Sequence, residues 1–337
     1  MPSGRDFLNL LIKGKDLSAK QAYALMNAVM EGEIPSAQLA GILVALRAKG
    51  ETVDEITGLA RAMREKATPV TPQRQDLVDT CGTGGDGSGT FNISTATAIV
   101  AAGMGCAVAK HGNRAVSSSC GSADVLEALG MNINLSAIQA AQNVDKIGLG
   151  FLFAPALHPA MKHAMPARKA LGVRTVFNVL GPLTNPAGAR RQLLGVFAPD
   201  LCETLAQVLA GLGSERAFVV HGEDGLDEVS LFGPTRIAAL RNGRVETYSF
   251  HPSEVGLDLC QPEDLQGGDL KTNAAIIEDL LAGQGGPKAD VVVLNAAFVA
   301  VLADLAEDVQ AGVVLARAKI ADGSALAVLR ALQAVSK

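Results

Sequence analysis

The chain has 337 residues, of which 48% are hydrophobic and 19% charged, and its formal net charge is −5. Chains of this length bury enough apolar surface to fold as one large domain or two unequal ones without disulfides. The acidic balance and the low aromatic content of 4% argue against a basic nucleic-acid surface and against a base-stacking platform. We therefore expect no nucleic-acid partner.

Cysteine usage and the N-terminal sequence indicate the compartment. The five cysteines are widely spaced and include no Cys-x-x-Cys pair, which favours free thiols in a reducing environment. The first residues lack the apolar core of a signal peptide, and no stretch is long and apolar enough to span a bilayer. We predict a cytoplasmic protein that does not associate with a membrane.

Residues 1 to about 68 carry only helical patterns. Ser18 and Thr52 each precede a Gln or Glu by three residues, which is the capping-box spacing that begins a helix. Between them, a further helix begins after Pro35 and ends at Gly50. The apolar surface of these helices is large for so small a bundle, so we expect it to pack against the rest of the chain or against a second copy.

Beyond a proline-marked linker at residues 68–72, strand and helix patterns alternate. Strands are predicted at 77–78, 106–110, 151–153, 192–197, 215–220, 236–240 and 245–250. Helices are predicted at 96–102, 122–129, 136–147, 201–212 and from about 269 onwards. The last two strands flank Asn242-Gly243, a dipeptide typical of a hairpin turn. The alternation predicts an α/β fold with a mostly parallel central sheet covered by helices, preceded by a small all-helical N-terminal domain.

The most informative segment, residues 79–95, lies between a strand end and a helix. Five glycines fall between Gly82 and Gly89, and hydroxyl side chains surround them. A glycine turn that opens onto a helix N-terminus presents free N–H groups and the positive end of the helix dipole, which attract phosphate. The segment lacks the ending of a Walker P-loop and the spacing of a dinucleotide fingerprint. We predict that it binds a phosphorylated ligand by another geometry.

A second polar loop, residues 110–124, follows the strand predicted to end at Ala109. It contains Lys110, Arg114 and a run of serines that leads into a helix at about Ser122. Cationic side chains, hydroxyls and a helix N-terminus are the groups that bind a polyphosphate. The loop is therefore a second candidate for phosphate binding.

Two further segments carry candidate ligand-binding residues. Arg168 is a candidate for binding a substrate carboxylate through two hydrogen bonds. His158 and His163 are five residues apart, whereas a zinc pair on a helix requires four, so we do not expect a zinc site. Asp227 and Glu228 are adjacent carboxylates in a glycine-bearing loop, and Mg²⁺ is commonly bound by one or two carboxylates plus substrate phosphates.

In this order and spacing, the four segments resemble the anthranilate phosphoribosyltransferase family over essentially the whole chain. The motifs are Gly-Thr-Gly-Gly-Asp from Gly82, Lys-His-Gly-Asn-Arg from Lys110, Gly-Pro-Leu-Thr-Asn-Pro from Gly181, and the pair Asp227-Glu228. The resemblance implies transfer of the phosphoribosyl group of phosphoribosyl pyrophosphate (PRPP) to the amine of anthranilate. Pyrophosphate leaves, and the reaction is the second step of tryptophan biosynthesis from anthranilate.

The resemblance also implies the domain organisation and the assembly. A helical domain of residues 1–70 is joined by helices from about 158–178, and residues 71–337 form an α/β domain that binds PRPP. A cleft lies between the domains. Members of the family are usually homodimers joined through the helical domain.

The roles of individual residues follow from the resemblance. The PRPP site comprises Gly82, Gly85, Asp86, Thr90, Asn92, Ile93, Ser94, Thr95, Lys110, His111, Gly112, Asn113, Arg114, Ala115, Val116, Ser117, Ser118 and Ser122, and the loop from Lys110 through Ser118 closes over PRPP. The anthranilate site comprises Gly82, Asn113 and Arg168, with His111 near the aromatic ring. Ser94, Asp227 and Glu228 bind magnesium, with two ions per subunit.

The chemistry implied by the resemblance agrees with the residue types. Displacement at an anomeric carbon passes through an oxocarbenium-like state in which the leaving group carries the developing negative charge. No protein nucleophile is needed, and no motif supplies one. Positioning and electrostatic stabilisation therefore dominate. We expect His111 to position the acceptor, and a role as a base stays open.

Two alternatives remain at this stage. A pyrimidine nucleoside phosphorylase shares the fold, although its signature loops differ from residues 79–86. A non-catalytic relative that binds nucleic acid would carry basic patches and a degraded PRPP site.

Overall fold

The computed structural model describes residues 2–115 and 120–336, and it begins with a helical bundle. The bundle comprises α1 (Gly4–Leu11), α2 (Ala19–Met30), α3 (Ser36–Lys49) and α4 (Val53–Lys66). Ser18 and Thr52 cap α2 and α4 with the predicted capping boxes. Ser3 caps α1 in the same way, because Asp6 follows it by three residues.

Within the described part of the chain, seven strands form one sheet in the order β3-β2-β1-β4-β5-β6-β7. The strands are β1 (Leu77–Gly82), β2 (Ala107–Gly112), β3 (Leu149–Phe153), β4 (Arg191–Gly195), β5 (Arg216–Gly222), β6 (Thr235–Arg241) and β7 (Arg244–Phe250). Strands β1 to β5 are parallel, and β6 and β7 add an antiparallel edge. Asn242 and Gly243 join β6 to β7 with positive φ angles of 54° and 73°, as a tight hairpin turn requires.

Helices cover both faces of the sheet. They are α5 (Ile93–Gly103), α6 (Ser122–Ala128), α7 (Ala137–Ile147), α8 (Ala154–Leu157), α9 (Met165–Leu171), α10 (Phe177–Leu180), α11 (Asp200–Gly211), α12 (Leu270–Leu281), α13 (Pro287–Leu302), α14 (Val309–Ala321) and α15 (Ser324–Ala334). The predicted fold class, a helical N-terminal domain and a larger α/β domain with a mostly parallel sheet, is confirmed. In the described ranges, no helix is long and apolar enough to cross a membrane.

The side-chain alternation of the strands divides the core into two layers. Leu193, Val220 and Ile237 face a core shared with α5 and α13, whereas Leu194 and Val219 face a core shared with α11 and the N-terminal bundle. Because successive residues of a strand point to opposite faces, each strand contributes to both layers. The bundle therefore packs its apolar surface directly against the α/β part of the chain.

Two further contacts connect the bundle to the later chain. Helix α9 packs on the bundle, where Ala167 is buried in the same core as the helices α2 and α3. The Arg64 side chain of α4 donates a hydrogen bond from Nε to the carbonyl of Leu183 at 2.6 Å. The segment around residues 181–186 is therefore held between the bundle and the sheet.

Candidate active site

Four parallel strands end side by side at one edge of the sheet. β1 ends at Gly82, β2 at Gly112, β4 at Gly195 and β5 at Gly222. The strand order reverses at β1, because β2 lies on one side of it and β4 on the other. Open α/β sheets hold their ligands at such a position, outside the carboxyl ends of the strands. The candidate residues come from the loops that follow these strands.

The glycine loop after β1 has a backbone that only glycine adopts readily. Gly84, Gly85, Gly87 and Gly89 have φ angles of 65°, 80°, 75° and 68°. Positive φ is disfavoured for residues with a Cβ, so these four positions require glycine. Arg174 crosses from the segment after α9, donates a hydrogen bond to the Gly85 carbonyl, and lies 4.4 Å from the centroid of the Phe197 ring.

Helix α5 begins at Ile93, three residues before the start predicted from the sequence. Its N-cap residue Asn92 makes no side-chain capping bond and instead donates from Nδ2 to the Cys120 carbonyl at 3.0 Å. The backbone N–H and hydroxyl of Ser94 face Glu228 and lower the pKa of its carboxyl. The helix N-terminus, a favourable place for negative charge, therefore holds a carboxylate of the protein in this structure.

The two adjacent carboxylates lie against the glycine loop. Asp227 Oδ2 accepts a hydrogen bond from the Gly84 N–H at 2.8 Å. A Cβ at Gly82 would lie 2.7 Å from that oxygen, and a Cβ at Gly195 would overlap the Asp227 carbonyl. The close approach of Asp227 therefore requires glycine at the ends of both β1 and β4.

Burial and mutual repulsion make this carboxylate pair favourable for a cation. Burial raises the pKa of Asp227 well above its usual value, and the neighbouring Glu228 and Asp86 raise it further. Burial likewise raises the pKa of Glu228 to about 7, although Lys110 opposes the shift. Two carboxylates and the Ser94 hydroxyl are oxygen donors of the kind that Mg²⁺ binds together with water and substrate phosphates. The residues present fit a magnesium ion.

Lys110 lies in the core instead of on a loop. The sequence analysis placed Lys110 both at the end of the strand 106–110 and at the start of the polar loop. In the structure β2 continues to Gly112, and Lys110 pairs with Phe151 of β3. The ammonium donates a hydrogen bond to the Thr80 carbonyl and lies 3.4 Å from Ser94 Oγ. Burial lowers the pKa of Lys110, and the carboxylates of Asp79 and Glu228 counteract that shift.

Asp79 is a third carboxylate, fully buried under the site. Its Oδ2 accepts from Asn185 Nδ2 at 2.8 Å and its Oδ1 accepts from the His111 N–H at 3.1 Å. Asn185 Nδ2 also donates to the Ala109 carbonyl at 2.8 Å. Burial raises the pKa of Asp79 despite these bonds and the nearby Lys110. The network ties β1, β2 and the segment around residues 181–186 together.

Two buried histidines lie in contact at this edge of the sheet. The ring centroids of His111 and His158 are 5.2 Å apart, and His111 Nδ1 lies 3.2 Å from the Gly181 carbonyl oxygen. Burial lowers the pKa of His111 to about 3 and that of His158 to about 4. With Nδ1–H donating to Gly181, Nε2 of His111 is an acceptor, and it has no partner among the described residues. The pair is neutral at pH 7, and His111 Nε2 is a buried hydrogen-bond acceptor.

The histidine pair predicts acid sensitivity. Because the folded-state pKa values lie below the ordinary 6.5, the unfolded chain binds protons first and stability falls as pH falls below 6.5. As pH falls from 6.5 to 4.5, each histidine lowers the free energy of unfolding by about 2 kcal/mol. Over this interval we expect the free energy of unfolding of His158→Gln to fall by about 2 kcal/mol less than that of the unmodified chain. Urea unfolding at each pH measures both values. An equal loss in both proteins would contradict a depressed pKa.

Arg168 and Arg114 differ in their partners. The Arg168 guanidinium is half-buried, lies 5.0 Å from the centroid of the Phe177 ring, and forms no salt bridge with the described residues. Burial lowers its pKa. In contrast, Arg114 forms ion pairs with Asp124 at 2.8 Å and Glu127 at 2.9 Å. Arg168 therefore remains free for an external carboxylate, whereas the charge of Arg114 is already neutralised.

The remaining predicted residues have mixed positions. Thr95 and Ile93 are buried in the first turn of α5, and Thr90 forms an isolated bridge with Gln266. The other loop residues near Asp124 and Asn113 contact one another: Ala115 N–H donates to Asp124, and Ser122 Oγ donates to the Asn113 carbonyl at 3.2 Å. The predictions for Val116, Ser117 and Ser118 lie outside the described residues.

The structure therefore brings the glycine loop, Ser94, Lys110 and the carboxylate pair together. Sequence reasoning missed His158 as part of this edge and assigned no individual role to Asp79, Asn185 or Arg174, although Asp79 and Asn185 lie in segments that it singled out. The position of His158 shortly after β3 was the available signal, since residues that follow parallel strands gather at one edge of the sheet.

Known families share this two-part architecture. Residues 5–67 match the helical bundle domain of a glycosyl transferase family, and residues 74–326 match the a/b domain of the glycosyl transferase family. Fold and site thus define a two-domain glycosyl transferase. The chain is 53% identical over 327 residues to an anthranilate phosphoribosyltransferase of Moorella thermoacetica, with 97% of this chain and 96% of the relative covered. The chain belongs to the anthranilate phosphoribosyltransferase family.

Solved structures that resemble this chain belong to the same family. Anthranilate phosphoribosyltransferase from Thermus thermophilus has a TM-score of 0.93 and 46% identity, with 98% of each chain covered. The Saccharomyces cerevisiae enzyme in complex with PRPP and Mg has a TM-score of 0.88 and 28% identity, over 97% of this chain and 96% of that one. The complex of the same enzyme with 4-fluoroanthranilate has a TM-score of 0.87 and 28% identity, and the match covers 98% of this chain and 97% of that one. The predicted family is confirmed, and neither alternative is supported.

Proposed function

We infer that the chain transfers the phosphoribosyl group of PRPP to the amine of anthranilate, giving N-(5-phosphoribosyl)anthranilate and pyrophosphate. The observation that carries this inference is the arrangement of Asp227 and Glu228 against the glycine loop and Ser94 at the carboxyl edge of the sheet. The acceptor and the donor are small molecules, and the reaction uses Mg²⁺. It belongs to tryptophan biosynthesis.

We propose that Ser94, Asp227 and Glu228 hold magnesium, with two ions per subunit. When bound, the metal neutralises negative charge on the departing pyrophosphate. The raised pKa values of the two carboxylates support this assignment, because a bound cation would offset both the desolvation of the carboxylates and the repulsion between neighbouring negative charges. The ammonium of Lys110 lies 3.4 Å from Ser94 Oγ, and its charge lowers the pKa of Glu228.

The PRPP-binding role of the loops stays a proposal for each predicted residue. The N–H groups of the glycine loop and of the first turn of α5 provide phosphate donors that need no side-chain charge. Arg174 supports this role, since its contact with the Gly85 carbonyl restrains the loop before a ligand arrives. Restrained donors stabilise developing negative charge without reorganisation during the reaction.

For the acceptor, we propose that Arg168 binds the anthranilate carboxylate and that Gly82, Asn113 and His111 contribute to the same site. The neutral His111 has at Nε2 an acceptor without a partner among the described residues, and because this atom is buried in the structure, the amine binds it only if the surrounding residues open. A pKa of about 3 makes His111 a poor general base near neutral pH, which supports a positioning role. The aromatic amine is itself neutral at pH 7 and needs no strong base.

The organisation of the protein around this site is also proposed. Residues 1–70 and the helices from about 158–178 form the helical domain, and residues 71–337 form the PRPP-binding domain. The burial of Ala167 in the core of the bundle supports this division. We propose a homodimer joined through the helical domain and a cytoplasmic location.

A fluorescence assay tests the reaction directly. Anthranilate fluorescence is followed with PRPP and Mg²⁺ each present or omitted. We expect the signal to fall only when both are present. A folded protein that binds PRPP but does not consume anthranilate would overturn the assignment of the acceptor.

The acceptor site predicts a selective effect at Arg168. We expect Arg168→Ala to raise the anthranilate KM about 10- to 100-fold, because a charged hydrogen-bonded pair is lost, and to change the PRPP KM much less. Steady-state kinetics with each substrate varied measure both constants. The control is Lys169→Ala, since Lys169 is the exposed neighbour on α9. Equal increases in both KM values would assign Arg168 a structural role.

A further inference from the structure

Asn295 is a buried polar residue behind the carboxylate pair. It lies in α13, where the surrounding residues from Val291 to Leu302 are otherwise apolar, and its side chain is inaccessible to solvent. A buried amide is unfavourable unless its donors and acceptor are satisfied. The hydrogen bonds of Asn295 therefore indicate what this side chain holds in place.

The amide of Asn295 binds both backbone groups of a single residue. Oδ1 accepts from the Val229 N–H at 3.0 Å, and Nδ2 donates to the Val229 carbonyl at 2.9 Å. Nδ2 also donates to the Val291 carbonyl, one turn earlier in α13, at 2.9 Å. The side chain thus fixes the Val229 backbone in the way that a neighbouring strand would fix it.

Val229 directly follows Glu228, so this clamp reaches the carboxylate pair through one peptide bond. On the opposite side, the Asp227 carbonyl lies so close to Gly195 that a Cβ there would overlap it. Ser230, the next residue, donates from Oγ to Asp224 at 2.6 Å. The carboxylate pair is therefore held between β4 and α13, and Asn295 supplies the hydrogen bonds from α13.

We propose that Asn295 is a positioning residue that sets the Asp227–Glu228 backbone for magnesium-bound PRPP. This inference rests on the proposed function, because it takes the two carboxylates as the magnesium ligands. Asn295 acts through the Val229 backbone, to which its side chain is hydrogen-bonded. Groups that orient metal ligands typically change metal affinity about 10- to 100-fold when they are removed.

The test is calorimetric binding of PRPP with and without Mg²⁺, in the absence of anthranilate. We expect Asn295→Leu to weaken PRPP binding about tenfold or more in the presence of Mg²⁺, to raise the Mg²⁺ concentration for half-maximal turnover, and to leave the anthranilate KM unchanged. Asn295→Asp retains the acceptor and the shape but loses the donor, so it serves if the leucine variant does not fold. We expect Asn295→Asp to bind PRPP more weakly than the unmodified chain and more tightly than Asn295→Leu.

The matched control is Phe298→Leu, which alters the same buried helix but packs against Phe218 and Phe250. Normal PRPP affinity in the Asn295 variants, or an equal loss in Phe298→Leu at a similar melting temperature, would overturn the positioning role. A separate arm uses Asp227→Asn with Glu228→Gln. If PRPP binding by the unmodified chain is indifferent to Mg²⁺ and to this double change, the metal assignment itself fails, and the role of Asn295 with it.

Discussion

Replacing Asp227 by Asn and Glu228 by Gln together is expected to lower turnover by about 10³-fold or more. The two carboxylates lie at the switch point of the sheet beside Ser94, and they are the oxygen donors that we propose to bind magnesium there. Without them, the charge on the departing pyrophosphate loses its counterion. The measurement is kcat as a function of Mg²⁺ concentration at saturating PRPP and anthranilate.

Unfolding of the double variant does not account for this loss. The folded-state pKa values of both carboxyls are raised, that of Glu228 to about 7, so the fold loses stability as pH rises through these values and the carboxyls ionise. Neutral amides remove this effect, so the double variant is expected to melt at a higher temperature than the unmodified chain at pH 8 without ligands. Glu223→Gln, an exposed carboxylate in the same loop, is the control and should retain normal turnover. Near-normal activity of the double variant at limiting Mg²⁺ would disprove the assignment.

Much of the fold could be predicted because its signals are local. Capping boxes at Ser18 and Thr52, the Asn242-Gly243 turn and the alternation of strands and helices each involve only a few neighbouring residues. The continuation of β2 beyond Lys110 to Gly112 could not be predicted from such signals. Lys110 and His111 are polar, and only their pairing with Phe151 and Leu152 of β3 keeps them in a strand.

The same distinction separates the predicted from the missed site residues. Asp227 and Glu228 are adjacent, and the glycine loop is one continuous segment, so their chemistry is visible in the sequence. Arg174 and Gly85 are 89 residues apart, and Asn295 and Val229 are 66 residues apart. No local pattern indicates those contacts. They arise because separate crossover connections return the chain to one edge of the sheet.

Removing the buried cation at Lys110 is expected to be the most destabilising single change near the site. We predict that Lys110→Met lowers the free energy of unfolding by about 3–5 kcal/mol at pH 8, because the buried carboxylate of Asp79 and the half-buried carboxylate of Glu228 lose their counter-charge. The methionine side chain retains the length and the packing of the lysine stem. Urea unfolding measures the change, and Lys146→Met, at an exposed position, should alter stability by less than about 0.5 kcal/mol.

Two further measurements identify charge as the cause of the Lys110 effect. Burial raises the pKa of Asp79, so this carboxyl becomes neutral at a higher pH than an ordinary aspartate. A neutral Asp79 needs no counter-charge. The difference in the free energy of unfolding between Lys110→Met and the unmodified chain should therefore shrink as pH falls from 8 to about 5. Adding Asp79→Asn to Lys110→Met should likewise recover part of the lost stability, and a double-mutant cycle measures the coupling. A loss that is independent of pH and additive with Asp79→Asn would show that Lys110 stabilises the fold through the packing of its stem alone.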